Sequence, residues 1–314
     1  MFLPEIKSKI EEDISILIKL DNYSFNFICE CGDASELTVK ECQNTQAIFI
    51  SHTHIDHFIN FDSILRHQIG IGRRIIICGP EGITKQVQSK IKGYQWNLIE
   101  KNAITYEIRE IKTDGQIHKS ELNPPEWKII PLPQNESEVL FRNKRFTLDF
   151  TILDHKTDSI AYLFKEFDTI KINLSGTKFK GGSWVRELKT AFENNKEKQL
   201  IKVEENEFEA KDLFHLLETK RGEKIGVIMD HAANEENHQK IKTLFNNCDK
   251  VFIESFYKAE DKEFAKTHYH SYSSASAKIM KACKVKFAIP VHFSRKYKEA
   301  EIKTLMDEFN AGLK

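Results

Sequence analysis

The stretch FISHTHIDHF, residues 49 to 58, sets His52, His54, Asp56 and His57 within six positions. The apolar run AIFIS leads into it and reads as a buried strand that ends at Ser51. A loop over His52–Asp56 and a helix opening near His57 should follow. Alternate residues of an extended backbone point the same way, so His52 and His54 converge on one ion. Asp56 and His57 lie past the bend and face a second ion. Imidazole and carboxylate at this density suit zinc, with manganese or iron also compatible, and a helix N-terminus there favours an anionic substrate group. A solvated histidine-rich turn is the plainer reading of the same residues. The metal reading asks for more, because one segment cannot complete a two-ion site. It requires a fold that carries further ligands to the same place on the ends of later strands.

Such residues exist. His155 closes FTILDH, Asp230 closes GVIMD, and His292 follows FAIPV. Each ends a short apolar run of the kind that forms strands, as do ISILIKL, SFNFICE, RIIICG, AITYEIREI, WKIIPLP, SIAYLF and KVFIES. Helix-period stretches lie between several of them, at residues 58–70, 82–92, 184–193, 210–219, 235–245, 274–281 and 296–310. Strands come in runs early and alternate with helices late, which predicts an α/β protein of layered sheets covered by helices. No linker divides the 314 residues, so a single domain over 1–314 is expected, with an inserted arm around 165–215 in the lysine-rich tract containing KFKGGSW. NPPEW and PQNESEV read as surface loops.

Lysine plus arginine equals aspartate plus glutamate at 47 each, so no global field steers the chain to nucleic acid or membrane. Any RNA contact must come from a local basic patch. No apolar run is long enough to cross a bilayer, and the first twenty residues lack a secretory pattern. The six scattered cysteines read as buried thiols of a cytoplasmic protein rather than a disulfide framework.

SHTHIDH resembles the His-x-His-x-Asp-His signature of the metallo-β-lactamase superfamily, and the later His, Asp and His follow in that superfamily's order. The resemblance implies an αβ/βα four-layer sandwich of two mixed sheets with metals at the sheet edge. It implies that His52, His54 and His155 hold one zinc ion, that Asp56, His57 and His292 hold a second, and that Asp230 bridges them. A hydroxide held between two ions would be the nucleophile, its pKa lowered by both, and Asp56 would orient it or take its proton.

Finer motifs resemble ribonuclease Z, the tRNA 3′-processing endonuclease. These are FICECGDASELTVKECQNTQAIFISHTHIDHF, IICGPEGI, LDHKTDSIAYLF, and the C-terminal run from VFIESFY through THYHSYSS to VHFSRKY. The likeness extends from Phe27 to Tyr297 and implies hydrolysis of a phosphodiester after the acceptor stem of precursor tRNA, by a homodimer. On it, His270 protonates the leaving oxygen and Glu254 polarises His270, which with Asp56 makes the catalytic set. Glu254 as a helix cap and His270 as a core histidine are the structural alternatives. Ser294 and Arg295 are expected to anchor the loop after His292, while Phe256, Tyr269 and Tyr272, of the kind that stack on unpaired nucleotides, flank strands and read first as core.

Four departures from that family stand out. MFLPEIKSKIEED shows nothing of its opening strand and Leu-Gly-Thr-Gly loop, MDHAAN replaces Gly-Asp-Thr, and GDASEL replaces Gly-Glu-Gly-Thr-Gln. The family's Gly-Pro-rich arm, which reaches the tRNA elbow, is here a segment within 156–229 that lacks proline. Lys178, Lys180 and Lys189 are suited to phosphates there, diluted by Glu187, Glu193 and Glu197. A metallo-β-lactamase-fold hydrolase of a small phosphodiester or cyclic nucleotide is therefore the second expectation. A metal-stabilised protein without turnover is the third.

Overall fold

The structure, a computed structural model, describes residues 1–134 and 139–314. Most of the expected PQNESEV loop lies outside the described residues. The chain divides into two compact units, one formed by 1–165 with 223–314 and the other by 166–222.

In the first unit, β1 (Phe2–Ile6), β2 (Ile16–Leu20), β3 (Asn26–Cys29), β4 (Thr45–Phe49), β5 (Arg74–Pro80), β6 (Thr105–Ile111), β7 (Ile117–Leu122) and β8 (Ile129–Pro131) form one sheet in sequence order. Its centre, β3 to β6, is parallel and both flanks are antiparallel. The second sheet begins with β9 (Phe141–Arg142), β10 (Phe146–Asp154) and β11 (Asp158–Glu166). The other unit intervenes with β12 (Thr169–Ile172), β13 (Leu200–Val203), β14 (Asn206–Glu209) and β15 (Leu217–Lys220). The sheet then resumes with β16 (Lys224–Ile228), β17 (Lys250–Glu254) and β18 (Phe287–Val291), and its order is β18-β17-β16-β11-β10-β9.

Strand alternation builds the layers. Ala47 and Phe49 of β4 face the second sheet, while Ile48 and the following Ile50 face helices Phe61–Gln68 and Ile83–Lys92. Val227 of β16 faces the first sheet, and Ile228 faces helices Glu235–Phe245, Ser273–Ala282 and Glu299–Leu313. The centre between the sheets is rich in phenylalanine. Phe27 meets Phe146 edge-on at 5.0 Å and Phe141 at 5.5 Å, and Phe49 meets Phe164 at 5.4 Å. Burying each such ring contributes on the order of 2–3 kcal/mol. Helices outside two facing mixed sheets make the four-layer sandwich.

The second unit has its own core, in which Trp184 and Leu188 of helix Trp184–Glu193 pack with Ile201, Val203 and Leu213. Its strands pair β12 with β15 and β13 with β14.

Several boundaries differ from expectation. The opening segment does form a strand, β1, because β2 offers it a complete antiparallel edge and Phe2 drops into the aromatic core. The helix expected at 210–219 is an α-helix to Leu213 and a 3-10 helix to Leu216, and it ends there because residues 217–220 are taken up by pairing with β12. The strand before the histidines ends at Phe49 rather than Ser51, and the next helix opens at Ile55 rather than near His57. The 58–70 helix is split into Ile55–Phe58 and Phe61–Gln68. Among the described residues no helix is long and apolar enough to cross a membrane, and all six cysteines are buried and outside any disulfide.

Candidate metal centre

The histidine-rich stretch leaves the sheet after β4, with His52 buried and His54 exposed at the N-cap of helix Ile55–Phe58. Asp56 and His57 occupy the first turn of that helix. His155 follows β10, Asp230 follows β16 two residues past its end, and His292 follows β18. β4, β16 and β18 are parallel-type strands that deliver their ligands from their carboxyl ends, where open α/β sheets bind their ligands. His292 has a positive φ of 57°, as do Glu30 at 67°, Lys156 at 60° and Tyr269 at 58°. Left-handed backbone at non-glycine residues is costly, and these four, of the eleven such among the described residues, lie beside the histidine-rich stretch and its neighbours.

Asp230 stands at the middle. Its Oδ2 lies 3.7 Å from His52 Nε2 and 3.4 Å from His155 Nε2. Its Oδ1 lies 3.4 Å from His57 Nε2 and 2.9 Å from His292 Nε2. Asp56 closes the second group, with Oδ2 3.7 Å from His57 Nε2 and 3.8 Å from His292 Nε2. Three donor groups result, each drawn together within 4.8 Å: His52, His54, His155 and Asp230 on one side, Asp56, His57 and His292 on the other, and Asp230 again with Glu254 and His270. His52 Nε2 and His57 Nε2 are buried with no hydrogen-bond partner. Buried polar atoms are seldom left so, and nitrogen and carboxylate donors converging in this way fit two divalent cations.

The far nitrogens of the same rings explain why Nε2 faces inward. His155 Nδ1 is 2.6 Å from the Tyr269 carbonyl, so it carries the proton and donates. His57 Nδ1 is 3.0 Å from Oε2 of Glu30, and His52 Nδ1 is 3.0 Å from the Ser51 hydroxyl. Burial, then repulsion from neighbouring imidazoles, pushes the His52 pKa well below the histidine value, and that of His54 is lowered likewise. Burial also opposes charge on His57, but Asp230 and Glu30 outweigh it and draw a proton to the ring. A divalent cation competes for that nitrogen.

Glu254, fully buried at the end of β17, accepts hydrogen bonds from the backbone amides of His231 at 3.0 Å and Ser271 at 3.3 Å, and pairs closely with His270 Nδ1. Burial would raise its pKa, but the His270 imidazolium holds it down at about 2. His270 Nδ1 is 3.7 Å from Asp230 Oδ2, which sets the pair against the central carboxylate. The Phe256 ring stacks flat on His270 at 3.9 Å. That face of Phe256 is therefore taken by an imidazole and cannot receive a base. His231 directs Nδ1 to the Met229 carbonyl at 2.9 Å. Arg295 pairs with Asp13 at 2.5 Å and Asp33 at 3.2 Å, and the Ser294 amide bonds the Phe256 carbonyl at 3.0 Å. A cleft of about 530 Å³ opens here, with Asp56, His292, Phe256 and Arg295 among its walls.

Sequence reasoning passed over Glu30, Ser51 and the Phe256 stack. For Glu30 a signal existed: an acidic residue closing a strand as apolar as NFIC is seldom buried without a partner.

No family model matches the chain. It is 29% identical over 298 residues to ribonuclease Z of Borrelia duttonii, covering 90% of this chain and 80% of that one. It is 21% identical over 293 residues to ribonuclease Z of Deinococcus radiodurans, covering 89% and 85%. Among solved structures it is similar to the short form of human tRNase Z, with a TM-score of 0.58, 16% identity and 94% of each chain covered. It is also similar to the metallo-β-lactamase fold protein YhfI of Bacillus subtilis, with a TM-score of 0.55, 13% identity, and 95% and 85% covered. The chain has the metallo-β-lactamase fold and resembles ribonuclease Z along nine-tenths of its length.

Proposed function

Starting from a metal-dependent hydrolase of the metallo-β-lactamase fold that resembles ribonuclease Z, we propose that this chain is an endoribonuclease that removes 3′ trailers from precursor tRNA. The observation that carries the reading is Asp230, one buried carboxylate between two histidine groups, with the Glu254–His270 pair against it. His52, His54 and His155 would hold one zinc ion, Asp56, His57 and His292 the other, and Asp230 both. Two divalent ions bound there would supply Lewis acidity toward the phosphoryl oxygens and make water nucleophilic at neutral pH.

The chain's own groups do the rest. Asp56, partly exposed on the cleft, orients the attacking water and accepts its proton. As the P–O3′ bond breaks, His270 gives a proton to the departing 3′ oxygen of the tRNA, leaving a 3′-hydroxyl there and a 5′-phosphate on the trailer. Glu254 holds Nδ1 of that ring, so Nε2 is the nitrogen left to donate. Residues 171–189, where Lys171, Lys178, Lys180, Arg186 and Lys189 face Glu187 as the one acid, are the part of the second unit proposed to meet tRNA phosphates. Six buried cysteines outside any disulfide support a cytoplasmic setting. The resemblance to ribonuclease Z further implies a homodimer.

A hydrolase of a small phosphodiester is the second reading, and it is favoured by the size of the cleft, about 530 Å³. The test is cleavage of a precursor tRNA bearing a 3′ trailer by the zinc-loaded protein, with His54→Ala as control. Metal-dependent cutting near the discriminator nucleotide, lost in the variant, supports the nuclease. Hydrolysis of bis(p-nitrophenyl) phosphate with the RNA left intact removes the tRNA assignment and keeps the phosphodiesterase.

A further inference from the structure

Glu30 touches neither Asp230 nor the open face of any ligand, yet both histidine groups lead back to it. It follows β3 directly, with its own amide bonded to the Phe49 carbonyl at 3.0 Å and its carbonyl accepting from the Ser15 hydroxyl at 2.9 Å. The next residues lock the ligand helix to the same turn. The Cys31 amide bonds the His57 carbonyl at 2.9 Å, and the Asn60 amide bonds the Cys31 carbonyl at 2.9 Å. Gly32 lets this turn approach so closely, since a Cβ there would sit 2.4 Å from the Asp13 carbonyl carbon.

The side chain of Glu30 is completely buried and all of its hydrogen bonds go to the metal-binding segment. Oε1 accepts from the Ser51 amide at 3.0 Å. Oε2 accepts from the Ser51 hydroxyl at 3.1 Å and from His57 Nδ1 at 3.0 Å. Because the hydroxyl spends its proton on Glu30, it can only accept from His52 Nδ1 at 3.0 Å. The polarity of the chain is thereby set, from His52 Nδ1–H to Ser51 Oγ–H to Glu30, with His57 Nδ1–H reaching the same oxygen. Both imidazoles thus keep a proton on Nδ1, which leaves Nε2, the nitrogen facing Asp230, as the one available to a cation.

We infer that Glu30 is a positioning residue for both cation sites at once, bracing His57 directly and His52 through Ser51. The inference rests on the two-ion reading of the centre. Its distinctive consequence is asymmetric. Removing the Glu30 carboxylate weakens both sites, whereas removing the Ser51 hydroxyl weakens only the one that contains His52.

The experiment is a calorimetric titration of metal-free protein with zinc, repeated with cobalt and read by its visible absorption, for wild type, Glu30→Gln and Ser51→Ala. Wild type should take up two ions. Glu30→Gln should bind both about 10- to 100-fold more weakly, and Ser51→Ala only one of them more weakly by that factor. Wild-type affinity for both ions in Glu30→Gln overturns the inference, as does equal weakening of both in Ser51→Ala. A wild type that binds fewer than two ions overturns the two-ion reading and the inference with it. Circular dichroism of each metal-free variant checks the fold. If Glu30→Gln does not fold, the one-site prediction for Ser51→Ala decides alone.

Discussion

His292 brings Nε2 to 2.9 Å from Oδ1 of Asp230, closer than any other imidazole approaches that carboxylate. His52 and His155 meet the opposite oxygen. One carboxylate thus faces two ligand groups with one oxygen each, and losing its charge should disable both. For Asp230→Asn, which keeps the volume, we predict fewer than two bound zinc ions by elemental analysis and at least a roughly 100-fold fall in phosphodiesterase activity.

Cations that bind only the folded chain must stabilise it. At about 100 times the dissociation constant each site adds roughly 2.7 kcal/mol. Two sites then raise the melting temperature by about 10 °C at some 2 °C per kcal/mol for a chain of this size. Calorimetry before and after chelation measures it, and an unchanged melting temperature would speak against the two-ion centre.

Glu254 has no place in either donor set built around the histidines of the first motif. Exchanging it should leave metal content intact and damage proton delivery by His270. Glu254→Gln and His270→Ala are each predicted to bind two ions and to lose about 10²- to 10⁴-fold in kcat. Loss of metal in either variant would move the pair from catalysis to coordination.

Away from the centre, Glu41 closes a capping box with Thr38 on helix Val39–Asn44 and pairs with Lys7 and Lys19 at 2.9 Å each. Burial would raise its carboxyl, but the Thr38 amide and the two lysines bring it from 4.5 to about 2. A folded value below the unfolded one means stability present above pH 4.5 and lost as pH falls towards 2. With solvent screening, Glu41→Gln should cost about 1 kcal/mol at pH 7 and nothing near pH 2, by urea unfolding of the metal-free protein.

The basic stretch of the second unit should show itself in salt dependence. Replacing Lys178, Lys180 and Lys189 by glutamine is predicted to flatten the slope of log affinity against log salt for precursor tRNA by up to about 2 to 3. Hydrolysis of bis(p-nitrophenyl) phosphate by the same variant should be unchanged. An unaltered slope would take this segment out of RNA binding.

Much of this protein was legible before any coordinate. Ligands spaced on alternate residues after an apolar run, and His155, Asp230 and His292 each closing another run, are local signals. Local patterns report strand ends because a strand buried on both faces must be apolar until it leaves the sheet. Helices 83–92, 184–193 and 235–245 were readable for the same reason: their apolar period is written in adjacent residues.

What only the tertiary structure decided depends on partners distant in the chain. Phe2–Ile6 becomes a strand because β2 is there to pair with it, and residues 217–220 leave a helical pattern because β12 claims them. Glu30 acquires its meaning from His57 and Ser51, which stand more than twenty residues away. Phe256, a core ring by its place beside a strand, lays one face on His270. Residue order determined which side chains could serve the centre. The packing of two sheets determined which oxygen faces which nitrogen, because hydrogen-bond direction and tautomer are settled by distances between strands rather than along one.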